Sequence, residues 1–400
     1  MQLQSFIFGL FISCCAAVFF LPQLKAAPNS SSNSPYNLVS NLQTGYYCKE
    51  VIAGPSWRYQ PGNCGVIRNR YMWLDAVGFE TMTNFKSLFN VTEFEIDSGS
   101  VPLFLKEELG LELLKVGEQG NDDRLWWALA FINAYRYNPN NTEYLKVAEA
   151  VYQDIKDKYW DPTSCSGGVW WDLARSYKNA ITNELFLTVA IDLYQVKKEQ
   201  DYLDEAKKAA DWFIDSQMVN ASSLINDGLK INNSSGNCSR TGPAWTYNQG
   251  VFLDGLAKLS YELSNQTYYL QAMKTFNAVI DPKNHLVSKD GILTEFIPEG
   301  GHVNENTPAF KGAFVRHLGY MLPFSTDQDA VIICQFVKRN AQMALIQKCQ
   351  YKAGPMIPYL WDSDCTAEGN LVSSTTSFTG IDLLNTAQIC QNRLTLKQAS

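Results

Sequence analysis

The sequence predicts an all-α protein in which six helical hairpins close into a ring, an (α/α)6 barrel. Two kinds of helical segment support this prediction: one is apolar on nearly every side and the other carries a single apolar stripe. The two kinds alternate and recur along the chain, as they do in repeat architectures. A chain of 400 residues has room for about six such pairs.

Three segments are apolar nearly all round, which is typical of helices buried on every side. They are 125–135 (LWWALAFINAY), 184–194 (ELFLTVAIDLY) and 250–263 (GVFLDGLAKLSYEL). We predict that these are inner helices.

Each inner segment is followed, after a short polar turn, by a segment with one apolar stripe and a charged opposite face. These outer segments are 143–156, 201–215 and 267–280, and each has a tyrosine near its start (Tyr144, Tyr202 and Tyr268). A hairpin of this kind needs neighbours to cover its apolar face. An open helical solenoid remains an alternative to the ring, because periodicity does not report closure. Closure would gather the loops at one end of the inner helices around one cavity.

The N-terminal region predicts export from the cell. Residues 5–22 are almost wholly apolar and precede small residues that suit signal peptidase, so we expect a signal peptide over residues 1–26. A membrane anchor is the alternative. A Ser-rich stretch follows, and we expect a flexible N-terminal arm over residues 27–45 and a single barrel domain over residues 46–395. The C-terminal LTLKQAS has no apolar tail, so we expect no lipid anchor and no second spanning helix.

Cysteines and glycosylation motifs indicate the same compartment. Ten cysteines include two in the apolar leader, and the remaining eight favour disulfides, with no connectivity fixed by the sequence. Asn-x-Ser/Thr motifs are numerous and predict a glycoprotein. They begin at Asn29, Asn90, Asn140, Asn220, Asn232, Asn233, Asn237 and Asn265.

Charge and motif content exclude several classes of function. The net charge is −7 and no dense run of Lys or Arg occurs, so nucleic acid and anionic membrane are poor partners. The three histidines (His285, His302 and His317) form no metal-like pair. No Gly-x-Ser-x-Gly elbow and no Gly-rich phosphate loop is present. We therefore predict no metal and no cofactor, and carboxylates become the main catalytic candidates.

The conspicuous carboxylates are Asp122 and Asp123, where a Gly/Asn turn enters an apolar inner helix. They can be read as capping residues that satisfy free backbone amides. The alternative hypothesis is that they are catalytic. A carboxyl group that faces the ring interior loses hydration, so its pKa rises toward that of a general acid. Neighbouring carboxyl groups can lie about 5 to 5.5 Å apart, the separation used by retaining glycosidases.

Two tryptophan pairs accompany these acids. Trp126 and Trp127 follow within one helical turn, and Trp170 and Trp171 end the loop CSGGVWWD. Exposed aromatic faces beside carboxylates stack against sugar rings, whereas buried ones simply fill the core. Both interpretations are open for each tryptophan.

Six short motifs occur in order along the chain. They are DDRLWWALA at 122–130, GGVWWD at 167–172, YKNAITNEL at 177–185, LINDGL at 224–229, TYNQGV at 246–251 and FKGAFVRHL at 310–318. Together they resemble glycoside hydrolase family 76, which contains endo-α-1,6-mannanases and related fungal cell-wall transglycosylases. The resemblance implies an (α/α)6 barrel and a retaining reaction on α-1,6-linked mannose.

By this resemblance, Asp122 is the nucleophile and Asp123 the acid/base, although the reverse order fits the sequence equally. Asp227 would hold sugar hydroxyls, but an ordinary Asn-Asp-Gly turn explains it almost as well. The remaining motif positions that would line the substrate groove are Trp126, Trp127, Trp171, Tyr177, Asn179, Tyr247 and Asn248.

We therefore predict a soluble, secreted, monomeric hydrolase of α-1,6-mannan that acts outside the cell or in the cell wall. Cell-wall transglycosylation is the nearest alternative, because it shares the covalent intermediate. A non-catalytic mannan-binding protein is a second alternative. A lyase or unsaturated-uronate hydrolase is a third, but it would need basic residues, which are few in the motif loops.

Overall fold

Eleven helices form most of the chain that is described by the computed structural model, which covers residues 35–50, 54–57, 72–94, 120–231, 238–295, 303–351 and 354–398. The helices are α1 (Pro35–Tyr46), α2 (Met72–Phe89), α3 (Asn121–Tyr137), α4 (Glu143–Tyr159), α5 (Ala180–Lys197), α6 (Gln200–Asp215), α7 (Thr246–Leu263), α8 (Gln266–Ile280), α9 (Thr307–Met321), α10 (Asp327–Ile346) and α11 (Ser374–Gln398). The predicted signal peptide lies outside the described residues.

Short antiparallel strands decorate the helices. They are β1 (Tyr47–Glu50), β2 (Gly54–Trp57), β3 (Lys178–Asn179), β4 (Gly228–Ile231), β5 (Cys238–Thr241), β6 (Cys349–Tyr351) and β7 (Gly354–Met356). Strands β1 and β2 form one pair, β6 and β7 another, and β3, β4 and β5 form a three-stranded sheet in that order. The three-stranded sheet carries part of the candidate site.

Six helices form a closed inner ring. Helices α2, α3, α5, α7, α9 and α11 each contact the next, and α11 returns to contact α2. Helices α4, α6 and α8 each pack on the outside against the inner helix that precedes them, whereas α10 packs against α11, the inner helix that follows it. The predicted (α/α)6 barrel is confirmed, and the contact between α11 and α2 excludes an open solenoid.

The apolar patterns explain why the helices sort into two layers. Nearly every residue of α5 is buried, from Ala180 to Leu193, whereas α6 buries only one stripe and exposes its charged face. Where α7 and α9 cross, a Cβ on Gly250 would lie 2.5 Å from the Cα of Phe314. A side chain at Gly250 would therefore push these two inner helices apart.

A buried ionic network ties the inner ring together. Its members come from all six inner helices and lie beyond the first two turns of each helix. The ion pairs, 2.8 to 3.3 Å long, are Arg136 with Asp192, Lys258 with Asp192 and Asp254, and Arg316 with Glu80 and Asp382. Because an unpaired buried charge is costly, this network favours the closed arrangement of the six helices over arrangements that separate them.

The predicted flexible arm is corrected over its second half. Residues 35–46 form α1, which packs against α11 and β7 and buries Leu38, Val39 and Leu42. The helix begins with a proline at its first position, where the missing backbone N–H costs nothing. The boundaries 46–395 for the barrel domain stay a prediction.

Disulfides are present, as the cysteine count predicts. Three bonds join Cys165 to Cys238, Cys334 to Cys390, and Cys349 to Cys365, and Cys48 is also disulfide-bonded. The Cys334–Cys390 bond links outer helix α10 to inner helix α11, and the Cys165–Cys238 bond links the loop before β3 to β5. None of the helices within the described ranges is both long and apolar enough to span a membrane.

Candidate active site

The two predicted acids stand at the start of inner helix α3, where the N-terminal ends of neighbouring inner helices meet. Asp122 and Asp123 are the second and third residues of the helix and are both only partly exposed. The N-cap position is Gly120, so no side chain caps the helix there. A Cβ on Gly120 would lie 2.0 Å from Nε1 of Trp171 and 2.2 Å from Oδ1 of Asp122. Glycine at this position therefore lets the indole reach the carboxylate.

Asp122 accepts hydrogen bonds from three donors. The indole Nε1 of Trp171 donates to Oδ1 at 3.0 Å, and the amide Nδ2 of Asn179 donates to Oδ2 at 3.2 Å. The backbone N–H of Asp123 also donates to Oδ1, at 3.1 Å. Two of the three donors are side chains from distant loops, so capping of its own helix does not account for the position of Asp122.

Asp123 differs from Asp122 in its surroundings. Within the described ranges, no group donates a hydrogen bond to its carboxyl group, and the Asp122 carboxylate is its charged neighbour. A carboxyl group without donors gains no hydrogen bond that would stabilise its ionised form. The arrangement therefore favours an ionised Asp122 beside a protonated Asp123.

The pKa values of the two acids follow from these contacts. Burial raises the pKa of Asp122 to about 6, and its hydrogen bonds oppose that rise. Burial and the negative charge of Asp122 raise the pKa of Asp123 well above its ordinary value, with nothing to oppose the rise. Two carboxyl groups whose pKa values are pushed apart are the usual basis for assigning a nucleophile and an acid.

Strand β3 and the residue before it link the acids to the opposite side of the site. Tyr177 and Asn179 point to one face, as alternate residues of an extended segment do. The side chain of Lys178 points the other way, is fully buried, and donates to the carbonyl oxygens of Ser164 and Gly167 at 2.6 Å each. The buried lysine thereby anchors the segment that carries both site residues.

Asp227 lies across the site from α3. Its Oδ2 accepts a hydrogen bond from the hydroxyl of Tyr177 at 2.8 Å, and the side chain of Trp245 donates a second one. Asn179 pairs with Gly228 in the sheet, which fixes Asp227 beside the strand that also serves Asp122. Burial raises the pKa of Asp227 despite these two donors.

Tyr247 completes the group of side chains around the acids. It is the second residue of α7, and its ring is partly exposed. Burial and the nearby charges of Asp227 and Asp122 raise the pKa of its phenol well above the ordinary value. The phenol therefore stands within electrostatic reach of both sides of the site.

The structure brings together most of the side chains that the motifs predict. The group comprises Asp122, Asp123, Trp171, Tyr177, Asn179, Asp227 and Tyr247.

Three predicted groove residues are buried instead and are corrected here. Trp127 is 3% exposed and packs against Phe79 and Phe131 in the core. Trp126 is 2% exposed and lies one helical turn below Asp122, inside the ring. Asn248 is fully buried, and its amide has no hydrogen-bond partner among the described residues.

Sequence reasoning missed three residues of this site. Trp245 donates to Asp227, and Phe310 stacks on Tyr247 with ring centroids 4.2 Å apart. Glu184 is fully buried, and burial together with the charge of Asp227 raises its pKa well above the ordinary value. Phe310 and Glu184 lie inside motifs that the sequence analysis quotes, and Trp245 directly precedes one.

A pair of neighbouring carboxyl groups at the mouth of a closed helical ring suits glycoside hydrolysis, and the family comparison agrees. Residues 38–393 match the profile of glycosyl hydrolase family 76. The chain belongs to this family. The prediction of a glycoside hydrolase is thereby confirmed at the level of the family.

Curated fungal relatives carry a specific name. A putative mannan endo-1,6-alpha-mannosidase of Schizosaccharomyces pombe is 26% identical over 312 residues, which are 73% of this chain and 67% of that protein. The mannan endo-1,6-alpha-mannosidase DCW1 of Saccharomyces cerevisiae is 29% identical over 215 residues, or 50% of this chain and 46% of DCW1. The match to DCW1 thus spans about half the length of that relative.

Solved structures share the fold. An inactive variant of the alpha-1,6-mannanase GH76A of Salegentibacter sp. HEL1_6, in complex with alpha-1,6-mannotetrose, superposes with a TM-score of 0.71 at 20% identity. It covers 89% of this chain and 98% of its own. Dfg5 from Chaetomium thermophilum, in complex with glucosamine, gives a TM-score of 0.68 at 18% identity and covers 92% of each chain.

Proposed function

We propose that this protein hydrolyses internal α-1,6-mannosidic bonds of mannan and retains the anomeric configuration. The observation that carries the proposal is the contrast between the two acids. Asp122 accepts three hydrogen bonds that stabilise its ionised form, whereas the carboxyl of Asp123 has no donor within the described part of the chain, and burial and the charge of Asp122 raise its pKa well above the ordinary value. An ionised nucleophile beside a protonated acid is the arrangement that a retaining glycosidase needs.

In the first half of the reaction, Asp123 donates its proton to the glycosidic oxygen. The bond between that oxygen and the anomeric carbon breaks as the Asp122 carboxylate attacks the carbon from the opposite side. The product is a mannosyl ester on Asp122 and a released mannan chain with a new hydroxyl group. Trp171 and Asn179 hold Asp122 in position for the attack.

In the second half, Asp123 is ionised and acts as a base. It removes a proton from a water molecule as the water oxygen attacks the anomeric carbon and the ester bond to Asp122 breaks. Asp122 leaves as a carboxylate and Asp123 regains its proton. Two inversions give net retention, so both acids return to their starting states.

The rest of the site supports a sugar substrate. Asp227 is held by Tyr177 and Trp245 on the far side of the cleft, where a carboxylate can accept hydrogen bonds from sugar hydroxyls. The names of the fungal relatives and the mannotetrose bound to the bacterial neighbour support an α-1,6-mannan as the polymer. We further propose that the protein is a secreted monomeric glycoprotein that works outside the cell or in the cell wall.

The test is incubation with linear α-1,6-mannan. Hydrolysis releases new reducing ends, whereas transglycosylation to a sugar hydroxyl gives longer or hybrid oligosaccharides without a matching rise in reducing ends. We expect Asp122→Asn and Asp123→Asn each to lower turnover at least about 1,000-fold while mannotetraose still binds. The exposed Asp157 offers a matched control, and Asp157→Asn should leave turnover unchanged. Full activity of either active-site variant would refute the mechanism, and binding without turnover by the wild type would indicate a mannan-binding protein.

A further inference from the structure

Four aromatic rings form a ladder from the interior of the barrel to its mouth, one from each of four inner helices. They are Trp126 on α3, Trp73 on α2, Phe310 on α9 and Tyr247 on α7. Successive ring centroids are 5.8, 6.1 and 4.2 Å apart, and successive interplanar angles are 30°, 25° and 12°. All three pairs are stacked, and the pair of Phe310 with Tyr247 is the closest and the most nearly parallel of them.

The ladder runs from the interior of the barrel to the acids. Trp126 and Trp73 are 2% and 7% exposed, whereas Phe310 and Tyr247 are partly exposed. Phe310 stacks on both Trp73 and Tyr247. It is therefore poorly placed to stack on a sugar itself, but it supports the ring of Tyr247.

Trp245 connects the ladder to Asp227. Its ring packs on Phe310 with centroids 5.4 Å apart and an angle of 52°, and its side chain donates a hydrogen bond to Asp227. Phe310 thus contacts both Trp245, which donates to Asp227, and Tyr247, which lies near Asp122 and Asp227. Because the ladder is backed by buried rings, Phe310 has little freedom to move away from them.

The hydroxyl of Tyr247 lacks a hydrogen-bond partner across the parts of the chain that the structure describes. It stands within electrostatic reach of Asp122 on one side and Asp227 on the other. Burial and these negative charges keep the phenol protonated, so it can donate a hydrogen bond. A donor held between two carboxyl groups is suited to a ligand that has hydroxyl groups on a rigid ring.

We propose that Tyr247 donates a hydrogen bond to a hydroxyl of the sugar unit that reacts at Asp122, and that Phe310 is the positioning residue that holds Tyr247 for this contact. The inference rests on the proposed function and adds a specificity-determining donor to it. It also assigns Phe310 an effect on catalysis that is transmitted mainly through the hydroxyl group of Tyr247, because Trp245 is only tilted against Phe310 and is held separately by its hydrogen bond to Asp227. A general role in core packing would not have this effect.

The test is a double-mutant cycle on hydrolysis of linear α-1,6-mannotetraose. Tyr247→Phe keeps the ladder and removes the hydroxyl, and Phe310→Leu keeps the hydroxyl and removes the stack. Each should lower kcat/KM about 10-fold, the usual effect of losing one neutral hydrogen bond to a substrate. The double variant should be no worse than Tyr247→Phe alone, because Phe310 then has no hydroxyl to position. Phe310→Tyr restores an aromatic ring and should recover most of the loss.

Phe324 provides a matched control. It packs on Tyr261 with ring centroids 5.4 Å apart, away from the acids, and Phe324→Leu should leave kcat/KM unchanged. Thermal unfolding of every variant separates loss of fold from loss of positioning. Losses in the double variant that multiply to about 100-fold, or an unaffected Phe310→Leu, would overturn this inference while leaving the proposed function intact. A wild type that does not cleave the tetraose would instead overturn the proposed function.

Discussion

The hydrogen bond from Trp171 to Asp122 makes a quantitative prediction about the pH dependence of activity. The acid limb of kcat/KM follows ionisation of the free enzyme's nucleophile, which we assign to Asp122 with a pKa of about 6. Activity should therefore rise as pH passes through this value. It should fall again at higher pH, where Asp123 loses the proton it must donate.

Trp171→Phe removes one donor to the ionised form of Asp122 and keeps an aromatic ring. A hydrogen bond to a charged group contributes about 1.5 kcal/mol or more, and each pKa unit corresponds to about 1.4 kcal/mol. The acid limb should thus move up by about one unit. At pH 5 the ionised fraction of Asp122 would drop from about one in ten to about one in a hundred.

The assay measures kcat/KM for α-1,6-mannotetraose as a function of pH. The quantity compared between variants is the apparent pKa of the acid limb, not the maximal value of kcat/KM. Trp170→Phe is the matched control, because the ring centroid of Trp170 lies 4.6 Å from Nζ of Lys178, whereas it is the indole of the neighbouring Trp171 that donates to Asp122. Its limb should stay in place. An unmoved or lowered limb in Trp171→Phe would refute the reasoning, whatever happens to the maximal rate.

Three further predictions concern the ring and its mouth. Arg316→Met leaves the buried carboxyl groups of Glu80 and Asp382 without their cationic partner and should lower the free energy of unfolding by about 3 to 5 kcal/mol in chemical denaturation. Lys146→Met at an exposed ion pair should change it by less than about 1 kcal/mol. Burial raises the pKa of Glu295 to about 8. Between about pH 4.5 and pH 8 this residue is therefore protonated in the folded state and ionised in the unfolded state. The free energy of unfolding consequently falls as pH rises through this window. Glu295→Gln removes this dependence of stability on pH. The melting temperature of the variant minus that of the wild type should therefore increase from pH 5 to pH 8; a constant difference would contradict the assignment. Gly120→Ala should keep the fold by circular dichroism but lower kcat at least about 10-fold, because its Cβ would collide with the indole N–H that holds Asp122; unchanged kcat would count against that contact.

The helical layers could be predicted from the sequence because burial on every side leaves an unmistakable pattern. The segment 184–194 has almost no polar face, and the structure buries it completely within α5 except for its last residue. The sequence analysis did not predict helix α1, because the Ser-rich residues that precede it are typical of a linker. Its helical signal is the proline at position 35 followed by Leu38, Val39 and Leu42, which recur at helical spacing.

The site was predicted in part, and the errors have a geometric cause. Asp122 and Trp126 share one helix face, but four residues place the tryptophan a full turn deeper, where the ring of helices closes over it. The closeness of Trp126 to Asp122 in the sequence therefore did not predict that the tryptophan would be exposed. Trp245 and Phe310 could not be assigned roles, because their contacts with Asp227 and Tyr247 depend on how separate inner helices and loops meet in space.

The most direct test of the account is to trap the covalent intermediate. An α-mannosyl fluoride with fluorine at carbon 2 slows both half-reactions, and its good leaving group lets the ester form faster than it breaks down. Mass spectrometry of the digested protein should find one fluoromannosyl group on the peptide that contains Asp122 and Asp123, with fragmentation placing it on Asp122. A label on Asp123 would reverse the two roles, and an active enzyme that releases product of inverted configuration without any labelled peptide would contradict the account.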